Sequence, residues 1–373
     1  MRAGLYVHIP FCIRKCHYCS FNSIPYEVSA ARRYASALVS EIDGCTHRVQ
    51  PSSLYIGGGT PTVLPAESLY GLLRTTGNRF ELPPGIEATL EANPGTLAGI
   101  DFGGLMALGV NRVSLGAQSF NPSELAMLGR LHGPEEVERA VTRLKSSGIS
   151  NISLDLMYSL PGQDMGFWLE SLRRAVGLGV QHLSLYDLSL DVGTMLYSEV
   201  KSGRLALPPE PMQVDMYLLA VETLEKAGFA RYEISNFALP GFECVHNMNY
   251  WSGGDYIGFG AGAHSHVSGT RTANLPAVED YIEAIEKGHT PVGETEVLTK
   301  AEGEREFIML GLRKAEGMRL DEYNKRFGRD FMESHGETAK RLEITGHMLT
   351  TDGAARLTLK GVLASSAVIR EFF

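Results

Sequence analysis

The chain has 373 residues, 44% hydrophobic and 21% charged, which suits a globular protein with a sizeable core and excludes a low-complexity or disordered chain. A formal net charge of −9 argues against a broad electrostatic footprint for nucleic acid or anionic membrane. The opening MRAGLYVHIPFC holds too short an apolar run for a signal peptide, and no later segment approaches a membrane span, so a cytoplasmic protein is expected.

Over residues 1–230, short β-rich runs alternate with helical patterns, as they do when βα units build a parallel sheet or barrel. The strand candidates are LYVHI (5–9), SLYIG (53–57), IEATLEA (86–92), RVSLG (112–116), ISLDLMY (152–158) and HLSLYDL (182–188). Helical patterns lie between them, such as 29–43 and 134–148, the latter opening on proline and two acids and closing on glycine. Six such units predict an α/β fold, a (β/α)6 partial TIM-like barrel, whose chemistry gathers at the C-terminal ends of the strands. Residues 231–290 read as a glycine-rich, irregular connection carrying HNMNYW at 246–251. In 291–373, helical patterns lead into MLTTDGAARL (348–357), two short strands about a DG turn, and then a last helix. That is the outline of a small winged-helix-like α+β domain, and the acidic balance favours a packing or lid module over a DNA-binding one.

Three of the five cysteines, Cys12, Cys16 and Cys19, stand at C-x3-C-x2-C spacing just after the first strand. Crowded together they make a poor disulfide framework and point to metal binding, while Cys45 and Cys244 read as ordinary thiols. A closed structural zinc site takes four protein ligands. His8 or His17 could supply the fourth, but His17 adjoins Cys16 and no partner C-x2-C exists in the chain. Three thiolates can instead hold a four-iron four-sulfur (4Fe-4S) cluster with one iron left open. The run GGGTPT (57–62) ends the second strand; its glycines allow close backbone approach, and it is no P-loop because no G-K-[ST] follows. Further polar residues, Glu91, Gln118, Arg130 and Asp155, fall at or beyond successive strand ends.

The cysteine spacing, with the aromatic Tyr18 before the last cysteine, resembles the cluster loop of the radical S-adenosylmethionine (SAM) superfamily. The resemblance implies that SAM chelates the open iron through its amino and carboxylate groups and can be cleaved to a 5′-deoxyadenosyl radical. YVHIPFC, GGGTPT, SLGAQSFN and DLMYSLPGQ are similar to the branch that holds coproporphyrinogen dehydrogenases and heme chaperones. It implies that Gly58, Gly59 and Thr60 meet the amino group of SAM, that Tyr6, Glu91, Gln118, Arg130 and Asp155 help hold it, and that Tyr18 stands beside the cluster. Dehydrogenases of this branch carry a further cysteine where this chain has Phe21, and HNMNYW is similar to an H-N-x-x-Y-W element of the chaperones. The chaperone side is therefore implied, with heme, recipient hemoproteins and, if SAM is cleaved, an electron donor as partners. An imidazole beside two aromatics suits a porphyrin, so His246 is the expected axial ligand, with Cys244, His264 and His266 as rivals. The alternatives are an oxygen-independent coproporphyrinogen III dehydrogenase and a radical SAM methyltransferase or cyclopropanase.

Overall fold

The computed structural model describes all 373 residues. All six expected strands form: β1 (Arg2–Ile9), β2 (Gln50–Gly58), β3 (Glu87–Ala92), β4 (Arg112–Gln118), β5 (Asn151–Tyr158) and β6 (His182–Asp187). They pair in parallel in chain order, joined by helices such as Val28–Asp43 and Pro134–Ser146. The first of these helices buries Ala31, Tyr34, Leu38 and Ile42, a stripe at helical spacing, and its entry is capped by the Glu27 carboxylate, which accepts from the N–H groups of Ser29 and Ala30. The second is held at its start by Glu136, which reaches back to the Gly133 N–H at 2.7 Å.

The parallel run is one part of a larger open sheet. The chain adds β7 (Ala230–Arg231), β8 (Asn236–Ala238), β9 (Tyr256–Phe259), β10 (His264–Val267), β11 (Thr270–Asn274) and β12 (Val292–Val297). The twelve strands lie in the order β12-β11-β10-β9-β1-β2-β3-β4-β5-β6-β8-β7, with β9 parallel to β1 and the outer strands antiparallel. The stretch expected to be irregular is thus ordered, holding the helix Val245–Trp251 followed by β9 and β10. Glycines masked it: a Cβ at Gly258 would fall 2.2 Å from the His264 carbonyl oxygen, so close strand contact, not looseness, demands glycine there.

Alternation along the parallel strands sorts the side chains onto two faces. Leu5, Val7 and Ile9 of β1, Leu54 and Ile56 of β2, Leu90 of β3, Leu115 of β4 and Leu154 and Leu156 of β5 are fully buried beneath the helices. The intervening residues, Tyr6 and His8, Tyr55, Glu91, Ser114 and Asp155, turn to the inner face. The C-terminal unit has a small sheet in the order β13 (Met318–Arg319), β15 (Ala354–Leu357), β14 (Met348–Thr351), flanked by helices including Lys300–Gly311, Leu320–Phe327 and Phe331–Ile344. Its hairpin turns through Asp352 and Gly353, both with positive φ (56° and 72°), as a two-residue turn requires. One apolar core of 71 residues runs from β1 through Phe372, so this unit is packed into the barrel's own core. No helix is long and apolar enough to cross a membrane.

The seam between β1 and β9 depends on one phenol. Tyr34 donates to the His8 carbonyl at 2.8 Å and accepts from the Ala261 N–H at 2.9 Å, fully buried. Tyr34→Phe keeps the ring but strands both backbone groups, and should cost about 1–3 kcal/mol in urea unfolding. An unchanged midpoint would show that the seam does not need this bridge.

Candidate functional site

β1 runs directly into the cysteine loop, and its pairing with β2 continues past the strand ends. The Gly59 N–H donates to the Ile9 carbonyl and the Thr60 N–H to the Phe11 carbonyl, both at 2.8 Å. This lays the GGGTP loop along the first cysteine so tightly that a Cβ on Gly59 would fall 2.6 Å from the Phe11 oxygen and 3.0 Å from Cys12 Sγ. The Thr60 hydroxyl lies 3.7 Å from Cys12 Sγ and accepts from Asn93 Nδ2 at 2.7 Å. Farther along the loop, His17 Nδ1 bonds the Met127 carbonyl at 2.8 Å, Arg14 donates to the Gly129 carbonyl at 2.7 Å, and Tyr18 packs against the Leu128, Met157 and Leu196 cluster. His8 has both ring nitrogens engaged, by Tyr6 Oη and the Asn22 carbonyl, each at 2.9 Å. The two histidines that could have completed a zinc site thus serve as struts.

The loop's chemistry fits a cluster. Cys12, Cys16 and Cys19 are all half-buried, and burial pushes the Cys12 and Cys19 thiols up. The sulfurs do not converge as ligands of a single ion do, whereas a cubic cluster with irons at separate corners takes thiolates held further apart. Arg130 Nη1 stands 3.3 Å from Cys16 Sγ, and its other amino group donates to the Gly116 carbonyl at 2.5 Å and to Asn93. Its buried Nε has no partner at all, a donor left over for a ligand. Gln118, with φ of 66°, turns back over Gly116 beside the same guanidinium. Asn93, directly after the strand that carries Glu91, joins Thr60 to Arg130; sequence reading passed it over, although its place at a strand's C-terminal end was signal enough.

On the inner face, Glu91 accepts from Tyr55 Oη at 2.7 Å and from the Gly58 N–H at 3.0 Å. Burial pushes its carboxyl up to about 7 against those hydrogen bonds, and Asp155 adds to the rise. Burial also raises Asp155, which accepts from Ser114 Oγ at 3.2 Å. Two buried acids whose carboxyls are both raised by burial can accept hydrogen bonds from a bound cation or hydroxyl when ionised.

His246 is not placed as the sequence suggested. It is 1% exposed, its Nδ1 bonds Ser53 Oγ at 2.8 Å and its Nε2 bonds Tyr250 Oη at 2.9 Å, while its ring stacks on Tyr55 at 5.0 Å. Burial holds it down to about 3. With no free nitrogen and no open face, it cannot meet an iron as it stands; it anchors the helix Val245–Trp251. Cys244 is likewise enclosed, its thiol pushed up to about 12 by burial beside Glu87, which also takes the N–H groups of Val245 and His246 at 3.0 Å each. What this helix presents outward is Tyr250 and Trp251, and both line a cavity of about 600 Å³. Its walls include Tyr6 and Glu91 at the inner end, Phe21 at the rim, and His264, His266 and Phe307 beyond. The motif's aromatics thus reach the cavity and its histidine does not. Phe21 is 67% exposed at the mouth.

A run of parallel strands with three thiols after the first is the layout of radical SAM proteins, and the radical SAM superfamily matches residues 6–175. The HemN C-terminal domain matches residues 298–364. The solved coproporphyrinogen III oxidase HemN from Escherichia coli shares the fold at a TM-score of 0.85 and 22% identity, covering 100% of this chain and 90% of its own. The heme chaperone HemW of Bacillus subtilis (strain 168) is 37% identical over 372 residues, 98% of each chain. HemW of Mycobacterium tuberculosis (strain ATCC 25618 / H37Rv) is 35% identical over 98% of this chain and 94% of its own. The chain belongs to the HemW family of the radical SAM superfamily.

Two outcomes follow from the geometry. Gly59→Val drives a side chain into the Phe11 carbonyl and Cys12 Sγ, so it should cut the cluster absorbance of reconstituted protein as well as SAM affinity; full cluster content would refute the close approach. Glu91 holds its proton more tightly folded than unfolded, so between pH about 4.5 and about 7 it lowers stability as pH rises. Glu91→Gln should therefore stabilise the chain by about 1–3 kcal/mol above that window and by almost nothing below it, as read from denaturant midpoints across pH. A gain independent of pH would mean the carboxyl titrates normally.

Proposed function

We propose that this chain is a heme chaperone: it binds heme, holds one 4Fe-4S cluster and SAM, and passes the heme to recipient hemoproteins in the cytoplasm. The observation that carries the reading is the aromatic-walled cavity opening beside the cysteine loop, in a chain whose full-length relatives are heme chaperones. Phe21, an exposed aromatic at the cavity mouth, supports it over the dehydrogenase reading, whose enzymes have cysteine there. Residues 1–230 are taken as the cluster and SAM unit, 231–290 as the connection and 291–373 as the covering domain.

Cys12, Cys16 and Cys19 are assigned to three irons. Gly58, Gly59 and Thr60 supply backbone along one side of SAM, and Tyr6, Tyr18, Glu91, Gln118, Arg130 and Asp155 supply side chains around it. A bound cluster supplies one electron at a time, from a donor protein if SAM is cleaved, and lends the open iron as a binding point. This chain's own contributions are more limited. Arg130 sets a positive charge 3.3 Å from Cys16 Sγ, and a bound cluster would displace the protons that burial favours on Cys12 and Cys19. Glu91 and Asp155, enclosed by the barrel, keep bulk water from competing for the groups they accept.

Anaerobic reconstitution tests both halves. Alanine at Cys12, Cys16 or Cys19 should remove most of the cluster absorption while Cys45→Ala keeps it, and equal retention in all four would refute the ligand set. Supplied with SAM, a reductant and coproporphyrinogen III, the reconstituted protein should leave the porphyrinogen intact by chromatography and bind added hemin. Steady formation of the decarboxylated product would decide for the enzyme.

A further inference from the structure

We propose that heme sits in the cavity between the barrel mouth and the C-terminal helices, with His264 as the axial ligand to its iron and Arg326 pairing with a propionate. The inference rests on the heme-binding reading above and assigns its site.

The cavity volume, about 600 Å³, lies in the range of about 300–1,000 Å³ that cofactor sites occupy. Its walls come from three places that only the fold unites: Phe21 from the cysteine loop, Tyr250 and Trp251 from the helix behind β9, and Phe307 from the helix Lys300–Gly311. Flat rings on several sides suit a macrocycle.

The histidines differ in what their ring nitrogens already bind. His8 and His246 have both engaged. His264 and His266 stand two apart on β10, so their side chains share a face, and both reach the cavity. His266 is 7% exposed, edged against Tyr256 and 3.9 Å from Asp255 Oδ1, which orients it into the wall. His264 is exposed, and no protein group hydrogen-bonds its ring. It is the imidazole at the cavity that can give a lone pair to iron without breaking anything.

Charge is distributed to match. Arg326 of the helix Leu320–Phe327 lies over the Phe307 ring at 5.3 Å, forms no ion pair, and abuts the loop at Gly253. Of the two carboxylates in the lining, Glu91 lies at the inner end and Glu306 pairs with Arg271, which also reaches Glu296 at 3.7 Å. A propionate therefore finds one uncommitted guanidinium at this wall, the geometry in which arginine binds carboxylates well. Coordination forms one N–Fe bond from a neutral imidazole with no change of oxidation state. A single ligand on an exposed strand leaves the heme's other face for a recipient's own ligand, as transfer requires.

The test titrates hemin into the full-length protein and four variants, following the Soret band. His264→Ala should shift the band and weaken binding about tenfold or more, the loss expected when an axial bond goes, and added imidazole should restore the band. Arg326→Glu should weaken binding about tenfold without moving the band, since it touches only the propionate. His246→Ala, checked for folding by circular dichroism, and His266→Ala should keep the wild-type band. The proposal is overturned if His264→Ala keeps that band, or if a folded His246→Ala or His266→Ala is the variant that loses it and regains it with imidazole. Failure of the wild-type protein to bind hemin at all would overturn the chaperone reading itself, and the site with it.

Discussion

The parallel pairing of β1 and β2 does not stop where the strands do. Two further hydrogen bonds, from Gly59 to Ile9 and from Thr60 to Phe11, carry the ladder into the loops and bring the glycine run against the first cysteine. Everything at the mouth of the barrel takes its position from this extension. Cys12 is fixed by its own backbone; Thr60 is set where Asn93 can reach it, and Asn93 in turn meets Arg130, whose guanidinium faces Cys16. A side chain at Gly59 would break the sequence at its first step, which is why the constraint is steric before it is chemical.

The barrel's interior is costly by design. Period-two alternation puts aliphatic residues under the helices and leaves the inner face to Tyr55, Glu91, Arg112, Ser114, Asp155 and His182, and such groups are tolerated only when bonded. Most are: His182 bridges Ser153 and Tyr232 at 2.8 Å each, and Glu91 has two donors. The exceptions are informative. Arg112 Nε and Arg130 Nε are both buried without partners, but Arg112 lies at the N-terminal end of its strand, near the buried Cys244, and Arg130 borders the smaller hollow that also contains Cys16 and Thr60.

How much of this could be read from the chain alone depended on the range of the forces involved. The six strands were legible because alternation is local, and the cysteine loop because its three cysteines are close in sequence. The helix Pro134–Ser146 announced both its ends. The stretch 246–266 was misjudged for two distinct reasons. Its glycines are demanded by neighbouring strands, which a local reading takes for flexibility. The burial of His246 is decided by Ser53 and Tyr55, almost two hundred residues earlier in the chain, and no spacing rule carries that information. The cavity was invisible for the same reason, since its walls meet only after β9 has joined β1.

One tether has a broader consequence. Asn22, just past the last cysteine, accepts from His8 through its carbonyl and donates through its amide to the backbone of Pro276 and Ala261, at 2.9 and 3.3 Å. The end of the cysteine loop and the turn that carries β10 are therefore one mechanical unit, and fixing one removes freedom from the other. Coupling of this kind is reciprocal. A change in the order of the cysteine loop is therefore transmitted to the turn ahead of His264 and His266, at the wall of the large cavity.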